Sequence, residues 1–141
     1  MRKTDGPWDG GWRSLVGAWE GINDSKGGVY ELRAIAKRGQ PRPISRFRGR
    51  DTQGIIYVGC SETRVGGRIK QFFLCASARH KSGHGPGVRY AESGFAKLMP
   101  LTSIQVRWKY RPRGSARAQE HLLLERYEKR YLDLPPLNHK R

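Results

Sequence analysis

Glu120 is the residue whose sequence surroundings point most directly to chemistry. The segment 116–131 has the strongest helical pattern of the chain. At about 100° per residue, several apolar side chains fall within about 60° of Glu120 around the helix axis: Ala116, Leu123, Leu124, Tyr127 and Tyr131. Glu125 falls about 140° away, on the side expected to face water. Burying a carboxylate is costly unless a cation or hydrogen-bond donors meet it. We therefore expect Glu120 to hold a divalent metal ion; the alternative is a structural salt bridge with an arginine.

Two cysteines and two histidines follow one another in the order Cys60, Cys75, His80 and His84. Their spacing contains a histidine pair but lacks the closely spaced cysteine pair of structural zinc sites. We therefore expect no zinc, and we expect both thiols to be buried as small apolar groups. Two cysteines cannot build a disulfide framework, which indicates reduced thiols and a cytoplasmic location.

Five short motifs follow one another along the chain. The tripeptides GVY (28–30) and YVG (57–59) each lie in a predicted strand, and Arg68 opens the helix predicted after the second. Glu120 lies in the segment EHLLLERY, and Asn138 ends the motif PPLN. In this order and on this pattern of elements, the motifs resemble those of the GIY-YIG nuclease family. The long basic segment between the two tripeptides makes the chain most similar to the type II restriction endonucleases of that family.

The resemblance implies a role for each residue in cutting a phosphodiester bond. Tyr30 would be the general base or would orient the attacking water as a phenol. A tyrosine ordinarily ionises near pH 10, so the phenolate would need nearby positive charge. Tyr57 would complete the hydrogen-bond network around the water and the phosphate. Arg68, in preference to Arg64, would grip the phosphate, because its planar guanidinium pairs with two oxygens. Glu120 would hold one Mg²⁺, for which Mn²⁺ substitutes.

One position departs from the family pattern. Many members place histidine or tyrosine four residues after the helix arginine, where this chain has Phe72. Phenylalanine can neither move a proton nor donate a hydrogen bond. We expect His84, in preference to His80, to supply an imidazole from the loop at 77–87. Asn138 is expected to organise the site or to contact the nucleic-acid backbone.

Hydrophobic periodicity and turn residues predict the elements that must position these residues. Three strands are predicted, at 28–37, 54–60 and 101–110. Four helices are predicted, at 12–19, 63–76, within 88–99 and at 116–131. The order implies an α/β (α+β) fold in which a central three-stranded sheet, mixed or antiparallel, is flanked by helices. Residues 1–25 are expected to form an arm that packs on an edge or groove, and 26–141 a nuclease domain with a basic insertion at 38–53.

The charge of the chain indicates the class of its partner. The 141 residues include 28 Lys+Arg against 12 Asp+Glu, a net charge of +16, which attracts polyanions and above all nucleic acid. No apolar run could span a membrane, and the first residues lack the apolar stretch of a signal peptide. The basic insertion is expected to emerge near the site. The residues expected to contact DNA are Arg42, Arg46, Arg48, Arg50, Lys70, Arg111, Arg113 and Asn138; Arg46, Arg48 and Arg50 are candidates for base reading.

Together these features predict a Mg²⁺-dependent endonuclease of double-stranded DNA, and specifically a sequence-specific restriction enzyme. One site per chain cuts one strand, so cutting a duplex predicts a homodimer. Two alternatives stay open. One is a DNA- or RNA-binding protein that keeps the fold without catalysis. The other is a basic structural protein of a ribonucleoprotein or phage particle, in which Glu120 is a buried ion pair.

Overall fold

The computed structural model describes residues 8–138, which form a central β-sheet with helices on both faces. The strands are β1 (Arg13–Ser14), β2 (Gly28–Ala34), β3 (Ile44–Ser45), β4 (Arg50–Asp51), β5 (Ile55–Ser61) and β6 (Ile104–Tyr110). The helices are α1 (Leu15–Ala18), α2 (Val65–Ala76), α3 (Gly85–Glu92), α4 (Phe95–Leu98) and α5 (Ala116–Tyr131). In residues 8–138 no helix is long and apolar enough to cross a membrane.

The central sheet has four strands in the order β1-β6-β2-β5, and every pairing in it is antiparallel. The expected mixture of helices with an antiparallel sheet is confirmed, whereas the expected number of three strands is wrong. The additional strand, β1, consists of two residues of the arm, too few to show any periodicity. β2 lies inside the sheet, which places Tyr30 between Gly59 of β5 and Trp108 of β6.

Helices cover both faces of the sheet. α2 and α3 pack on the face that carries Tyr30, through Phe72 and Tyr90 among others. α5 packs on the opposite face, where Leu124 meets Val58. Because β5 contacts both α2 and α5, side chains from the two helices approach this strand from its two sides.

The arm, within the described residues, packs on the domain as expected. The main-chain N–H of Asp9 donates to the carbonyl oxygen of Trp108 at 2.8 Å, and the guanidinium of Arg107 lies against the rings of Trp8 and Trp12 at 4.2 and 4.6 Å. The helix expected at 12–19 is wrong, since only the four residues of α1 are helical and are interrupted by Gly17 at φ 90°. The arm instead contributes its backbone to the edge of the sheet.

The basic insertion folds into a hairpin, β3–β4, rather than an open loop. Its expected emergence near the site is wrong. In the antiparallel pairing of β2 with β5, Gly28 lies opposite Ser61 at one end and Arg33 opposite Ile55 at the other. The insertion leaves the sheet at the second end, whereas Tyr30 lies near the first.

The remaining element boundaries differ by a few residues from the expected ones. β2 ends three residues early, and the segment Leu101–Ser103 forms a 3₁₀ turn after Pro100 rather than the start of β6. The short helix expected within 88–99 is two helices, α3 and α4, separated by Gly94 at φ 77°. The expected span of α5 is confirmed.

Candidate active site

Tyr30 and His84 form the buried centre of the candidate site. Tyr30 is 0% exposed, and its hydroxyl oxygen lies 2.9 Å from Nε2 of His84. His84 caps the N-terminus of α3, where its Nδ1 accepts a hydrogen bond from the Gly87 main-chain N–H at 3.2 Å. Phe72 packs edge-on against the imidazole with ring centroids 5.4 Å apart. The loop before α3 therefore places the imidazole of His84 beside Tyr30, whereas the phenylalanine at position 72 has no group that could hydrogen-bond to it.

The helix cap determines where His84 carries its proton. Because the Gly87 N–H points at Nδ1, that nitrogen must present a free electron pair. Burial, together with the charges of Arg68 and Arg89, lowers the pKa of His84 to about 3. At neutral pH the ring is therefore neutral, with its proton on Nε2. Nε2–H thus donates to the Tyr30 oxygen, and the Tyr30 proton is available to another group.

Tyr57 is the phenol of the site that reaches solvent, at 9% exposure. Burial and the charge of Glu120 raise the pKa of Tyr57 to about 12, although Arg68 and a hydrogen bond from Tyr30 oppose the rise. Burial also raises the pKa of Tyr30 well above its ordinary value. Both side chains are neutral phenols at pH 7. This favours the water-orienting role over the phenolate base.

Gly59 makes room for the two tyrosine rings. It lies opposite Tyr30 across β2 and β5. A Cβ at this position would lie 2.6 Å from Cζ of Tyr30 and 2.7 Å from Cε2 of Tyr57, well inside the separation at which carbon atoms attract. The YVG tripeptide therefore ends in glycine because two aromatic rings occupy the space of a side chain.

We expect Gly59→Ala to lower the free energy of unfolding by about 1–3 kcal/mol, because the added methyl group forces the two rings aside. Urea unfolding followed by tryptophan fluorescence measures the change. Gly21→Ala is a matched control, since a Cβ built at Gly21 has nothing within 4 Å. Equal stability of the two variants would contradict the close packing at Gly59.

Arg68 lies on α2, close enough to the other candidate catalytic groups for its charge to act on each of them. Its charge acts to lower the pKa of each of them: Tyr30, Tyr57, His84 and Glu120. Its Nη1 donates to the carbonyl oxygen of Gly83 at 2.8 Å, and a guanidinium has five N–H donors in all. The rival Arg64 pairs instead with Asp24 at 2.9 Å on the surface. The geometry therefore favours Arg68 as the phosphate-binding arginine.

Glu120 approaches β5 from the opposite face, on α5. It is half-buried while Glu125 is exposed, so the orientation predicted from helical periodicity is confirmed. Burial raises the pKa of Glu120, although a hydrogen bond from the Cys60 thiol and the charge of Arg117 oppose the rise. Among the described residues no cationic side chain lies within salt-bridge distance of Glu120. The alternative of a structural ion pair therefore finds no partner in this part of the chain.

The surroundings of Glu120 fit a hard divalent cation. Mg²⁺ usually keeps several waters and binds through one or two carboxylates together with substrate phosphates. A half-buried carboxylate that has no cationic side chain within salt-bridge distance in the described part of the chain suits that coordination. A metal site formed entirely by protein ligands is not found in the described residues: across 8–138, no group of three or more His, Cys, Asp or Glu side chains could hold a metal ion. Cys75, on α2, donates its thiol to the Ser82 carbonyl oxygen at 3.2 Å.

The chain matches no protein-family model, no curated protein and no solved structure. The resemblance to the GIY-YIG nucleases thus remains one of motifs.

Lowering the pH is expected to destabilise the fold through His84. The ordinary pKa of the imidazole is 6.5 and its pKa in the fold is about 3, so the unfolded chain binds more protons once the pH falls below 6.5. Between pH 8 and pH 5 this difference costs about 2 kcal/mol of unfolding free energy. Urea unfolding at both pH values checks it. His84→Gln is expected to lose this part of the pH dependence, whereas substitution of the exposed His80 by Gln is expected to keep it. The same pH dependence in wild type and His84→Gln would contradict the assignment.

Two basic hollows lie beside the site. One, of about 400 Å³, is lined by Arg68 and Lys70 among others. The second, of about 530 Å³, shares Thr63 with the first and is lined by Arg111 and Arg113. Three of the residues expected to contact DNA therefore surround the end of the sheet that carries the candidate catalytic groups.

Two other arginines expected to contact DNA lie at the C-terminal end of α5 instead, where Arg48 caps the helix and Arg46 binds the segment that follows it. Nη1 of Arg46 donates to the Leu134 carbonyl oxygen at 2.6 Å. Arg48 donates through Nη2 to the Lys129 carbonyl oxygen at 2.6 Å and through Nε to that of Arg130 at 3.0 Å. Cations at this end of a helix satisfy its last carbonyl groups and interact favourably with its dipole. Part of the charge of the insertion therefore holds the insertion to α5.

Arg42 and Arg50 also lie away from the candidate site. Nη1 of Arg42 donates to the Leu98 carbonyl oxygen at 3.1 Å, and Arg50 is exposed on β4. Along the axis of α5, the eleven residues from Glu120 to Tyr131 span about 16 Å. The four arginines of the insertion that were expected to contact DNA and the catalytic groups thus occupy two separate regions.

Asn138 extends the free edge of β5. Its Oδ1 accepts from the Val58 main-chain N–H and its Nδ2 donates to the Val58 carbonyl oxygen, both at 3.0 Å. The N–H of Leu137 donates to the Ile56 carbonyl oxygen at 2.9 Å. The amide of Asn138 is therefore engaged by the strand that carries Tyr57, in agreement with an organising role.

The cap that places α5 is formed by a carboxylate from outside the helix. The Glu62 carboxylate accepts hydrogen bonds from the main-chain N–H groups of Gly114, Ala116 and Arg117 at 2.9, 3.2 and 3.3 Å. Ser115, at the ordinary cap position, makes no side-chain cap bond. Because the capping carboxylate comes from a distant part of the chain, no local pattern identifies it. The Cys60 contact with Glu120 was missed for the same reason.

Proposed function

We propose that this chain is a Mg²⁺-dependent endonuclease that hydrolyses phosphodiester bonds in double-stranded DNA. The observation that carries the proposal is the arrangement, on the two sides of β5, of two phenols, a neutral imidazole, a guanidinium and a carboxylate that has no cationic side chain within salt-bridge distance among residues 8–138. Phosphodiester hydrolysis needs an oriented water, a cationic contact for the phosphate and a ligand for a metal ion. The hollows lined by Lys70, Arg111 and Arg113 offer contacts for neighbouring phosphates.

Tyr57 orients the attacking water in this proposal. Its hydroxyl accepts a hydrogen bond from Tyr30, which is itself held by Nε2–H of His84. A hydroxyl has one proton to donate and two electron pairs to share. The Tyr57 oxygen therefore accepts a second hydrogen bond from the water and donates its own proton to a phosphate oxygen. Tyr30 and His84 fix the direction of that hydroxyl.

Arg68 binds the scissile phosphate and Glu120 holds the metal ion. The planar guanidinium of Arg68 pairs with two phosphate oxygens and keeps its charge at every working pH. A bound Mg²⁺ offsets the negative charge that develops on the phosphate oxygens. The water oxygen bonds to phosphorus as the bond to the leaving sugar oxygen breaks; the water gives up one proton to solvent and the leaving oxygen takes up one from solvent. The Cys60 thiol, whose pKa is raised to about 12 by burial and by Glu120, stays protonated and orients the carboxylate.

We propose further that two chains act together as a homodimer on duplex DNA, as a type II restriction enzyme requires. Sedimentation of the chain with and without DNA measures the assembly. A chain that remains monomeric on DNA and only nicks it would contradict this part of the proposal.

Digestion of supercoiled plasmid DNA with Mg²⁺ or Mn²⁺ tests the enzyme proposal. The wild-type chain is expected to cut the plasmid, and Tyr30→Phe, which keeps the ring and removes the hydroxyl, is expected to cut much more slowly. Discrete fragments would identify a sequence-specific enzyme, and a smear a non-specific one. Binding without cutting at every salt concentration would support the non-catalytic nucleic-acid-binding alternative and overturn the enzyme.

A further inference from the structure

Phe47, at the tip of the β3–β4 hairpin, is left in water although it is a large aromatic side chain. It is 80% exposed, more than Leu98, Leu132 or Val16, the other large hydrophobic residues that the structure describes as exposed, none of which is aromatic. Single exposed apolar residues are ordinary on protein surfaces. Phe47 differs from such residues in two respects: the hairpin that carries it is held by several hydrogen bonds, and the exposed charges around it are positive.

The hairpin that presents Phe47 is held rigidly. The N–H of Arg46 donates to the Gly49 carbonyl oxygen at 2.9 Å across the turn, and the N–H of Arg48 donates to the Tyr131 carbonyl oxygen at 2.8 Å. The guanidinium groups of the same two arginines bind carbonyl oxygens at the end of α5. At the base of the hairpin, Tyr127 donates its hydroxyl to the buried Asp51 at 2.9 Å. Phe47 is thus carried by a fixed backbone, so little entropy is lost when it meets a partner.

The exposed charge around the hairpin is positive. Arg50, Lys129 and Arg130 are exposed on the hairpin and the last turn of α5. The nearby Asp133 already pairs with Arg46 at 3.5 Å. A second copy of this chain would bring the same positive charges against the patch, whereas a polyanion complements them.

We propose that Phe47 stacks on DNA bases while the surrounding cations hold the phosphate backbone. Aromatic side chains stack on bases, and apolar side chains can insert as wedges between base steps. The distance of about 16 Å along α5 from Tyr131 to Glu120 corresponds to about five base pairs. The inference rests on the proposed function in taking DNA as the partner. It assigns to Phe47 the base contact that the sequence suggested for Arg46 and Arg48.

Binding titrations in EDTA, where no metal-dependent cutting occurs, test the proposal with sonicated duplex DNA of mixed sequence as the probe. Phe47→Ala is expected to weaken binding about tenfold at every salt concentration, because stacking is lost while no charge changes. Phe47→Trp is expected to bind as tightly as wild type, whereas Phe47→Leu, which can wedge between base steps but cannot stack, is expected to bind less tightly than wild type and more tightly than Phe47→Ala. Leu98→Ala, at another exposed apolar residue (64%), is the control and is expected to bind normally.

The outcomes separate this proposal from the nuclease proposal. Wild-type affinity in Phe47→Ala, or equal affinities of the Leu and Trp variants, would overturn the stacking role even if plasmid DNA is cut. A change of oligomeric state in Phe47→Ala, measured by sedimentation without DNA, would assign the patch to a second copy and would also overturn it. The expected affinity series in a chain that leaves plasmid DNA intact would support stacking and overturn only the nuclease.

Discussion

Glu120→Gln is expected to slow single-turnover cutting of plasmid DNA in Mg²⁺ by about 10³-fold. The substitution removes the one carboxylate placed to hold the metal ion, and the charge stabilisation lost with it amounts to several kcal/mol. The amide of glutamine still accepts a hydrogen bond from the Cys60 thiol. The substitution also removes a half-buried charge that has no cationic partner among the described residues. We therefore expect the free energy of unfolding to change little.

Rates are compared with protein in excess over DNA, and stability by urea unfolding. Glu125→Gln, on the exposed side of the same helix, is the matched control and is expected to cut at the wild-type rate. A normal rate in Glu120→Gln would remove Glu120 from the site and leave the enzyme proposal standing. If Glu120→Gln lowers the free energy of unfolding by several kcal/mol while the cutting rate changes little, the result would instead support a structural role of Glu120.

Arg68 variants are expected to have the second largest effect. Arg68→Lys keeps a positive charge but loses the planar fork, and we expect cutting about 10²-fold slower; Arg68→Ala loses both and is expected to be about 10³-fold slower. Part of the alanine effect comes from releasing the Gly83 carbonyl oxygen, which lies directly before His84. The lysine variant therefore tests the phosphate contact more specifically.

Arg64→Lys is the matched control, because Arg64 lines the same hollow as Arg68 but forms a surface ion pair with Asp24. It is expected to cut within twofold of wild type, since exposed ion pairs contribute little. Equal losses in Arg64→Lys and Arg68→Lys would show that only the general charge of this surface matters. That result would contradict a specific grip by Arg68.

The parts of the site that the sequence predicts are those encoded locally. Helical periodicity turns Glu120 inward, and the orientation holds because Ala116 and Leu124 of the same helix are buried against the domain. The two tripeptides meet because β2 and β5 pair antiparallel with Tyr30 opposite Gly59. The need for glycine at that position is visible only when both rings are in place.

The parts that escape prediction depend on contacts between distant segments. His84 reaches Tyr30 from a loop in which glycines leave the backbone direction open. The charge of Arg46 and Arg48 can be counted from the sequence, but the carbonyl groups that they bind, at Leu134 and on the last turn of α5, cannot be identified from it. The sequence pattern therefore predicts a DNA contact for this cluster of arginines, although Arg48 also caps α5.

The most direct test of the proposed site is the addition of Mg²⁺ to a complex of wild-type chain and labelled plasmid DNA formed in EDTA. The DNA is bound beforehand, so the rate reports the chemical step rather than affinity. We predict that the bound DNA is cut when Mg²⁺ is added, and that the same complex formed with Glu120→Gln stays intact over the same time. Bound DNA that remains uncut by the wild-type chain in both Mg²⁺ and Mn²⁺ would contradict the nuclease.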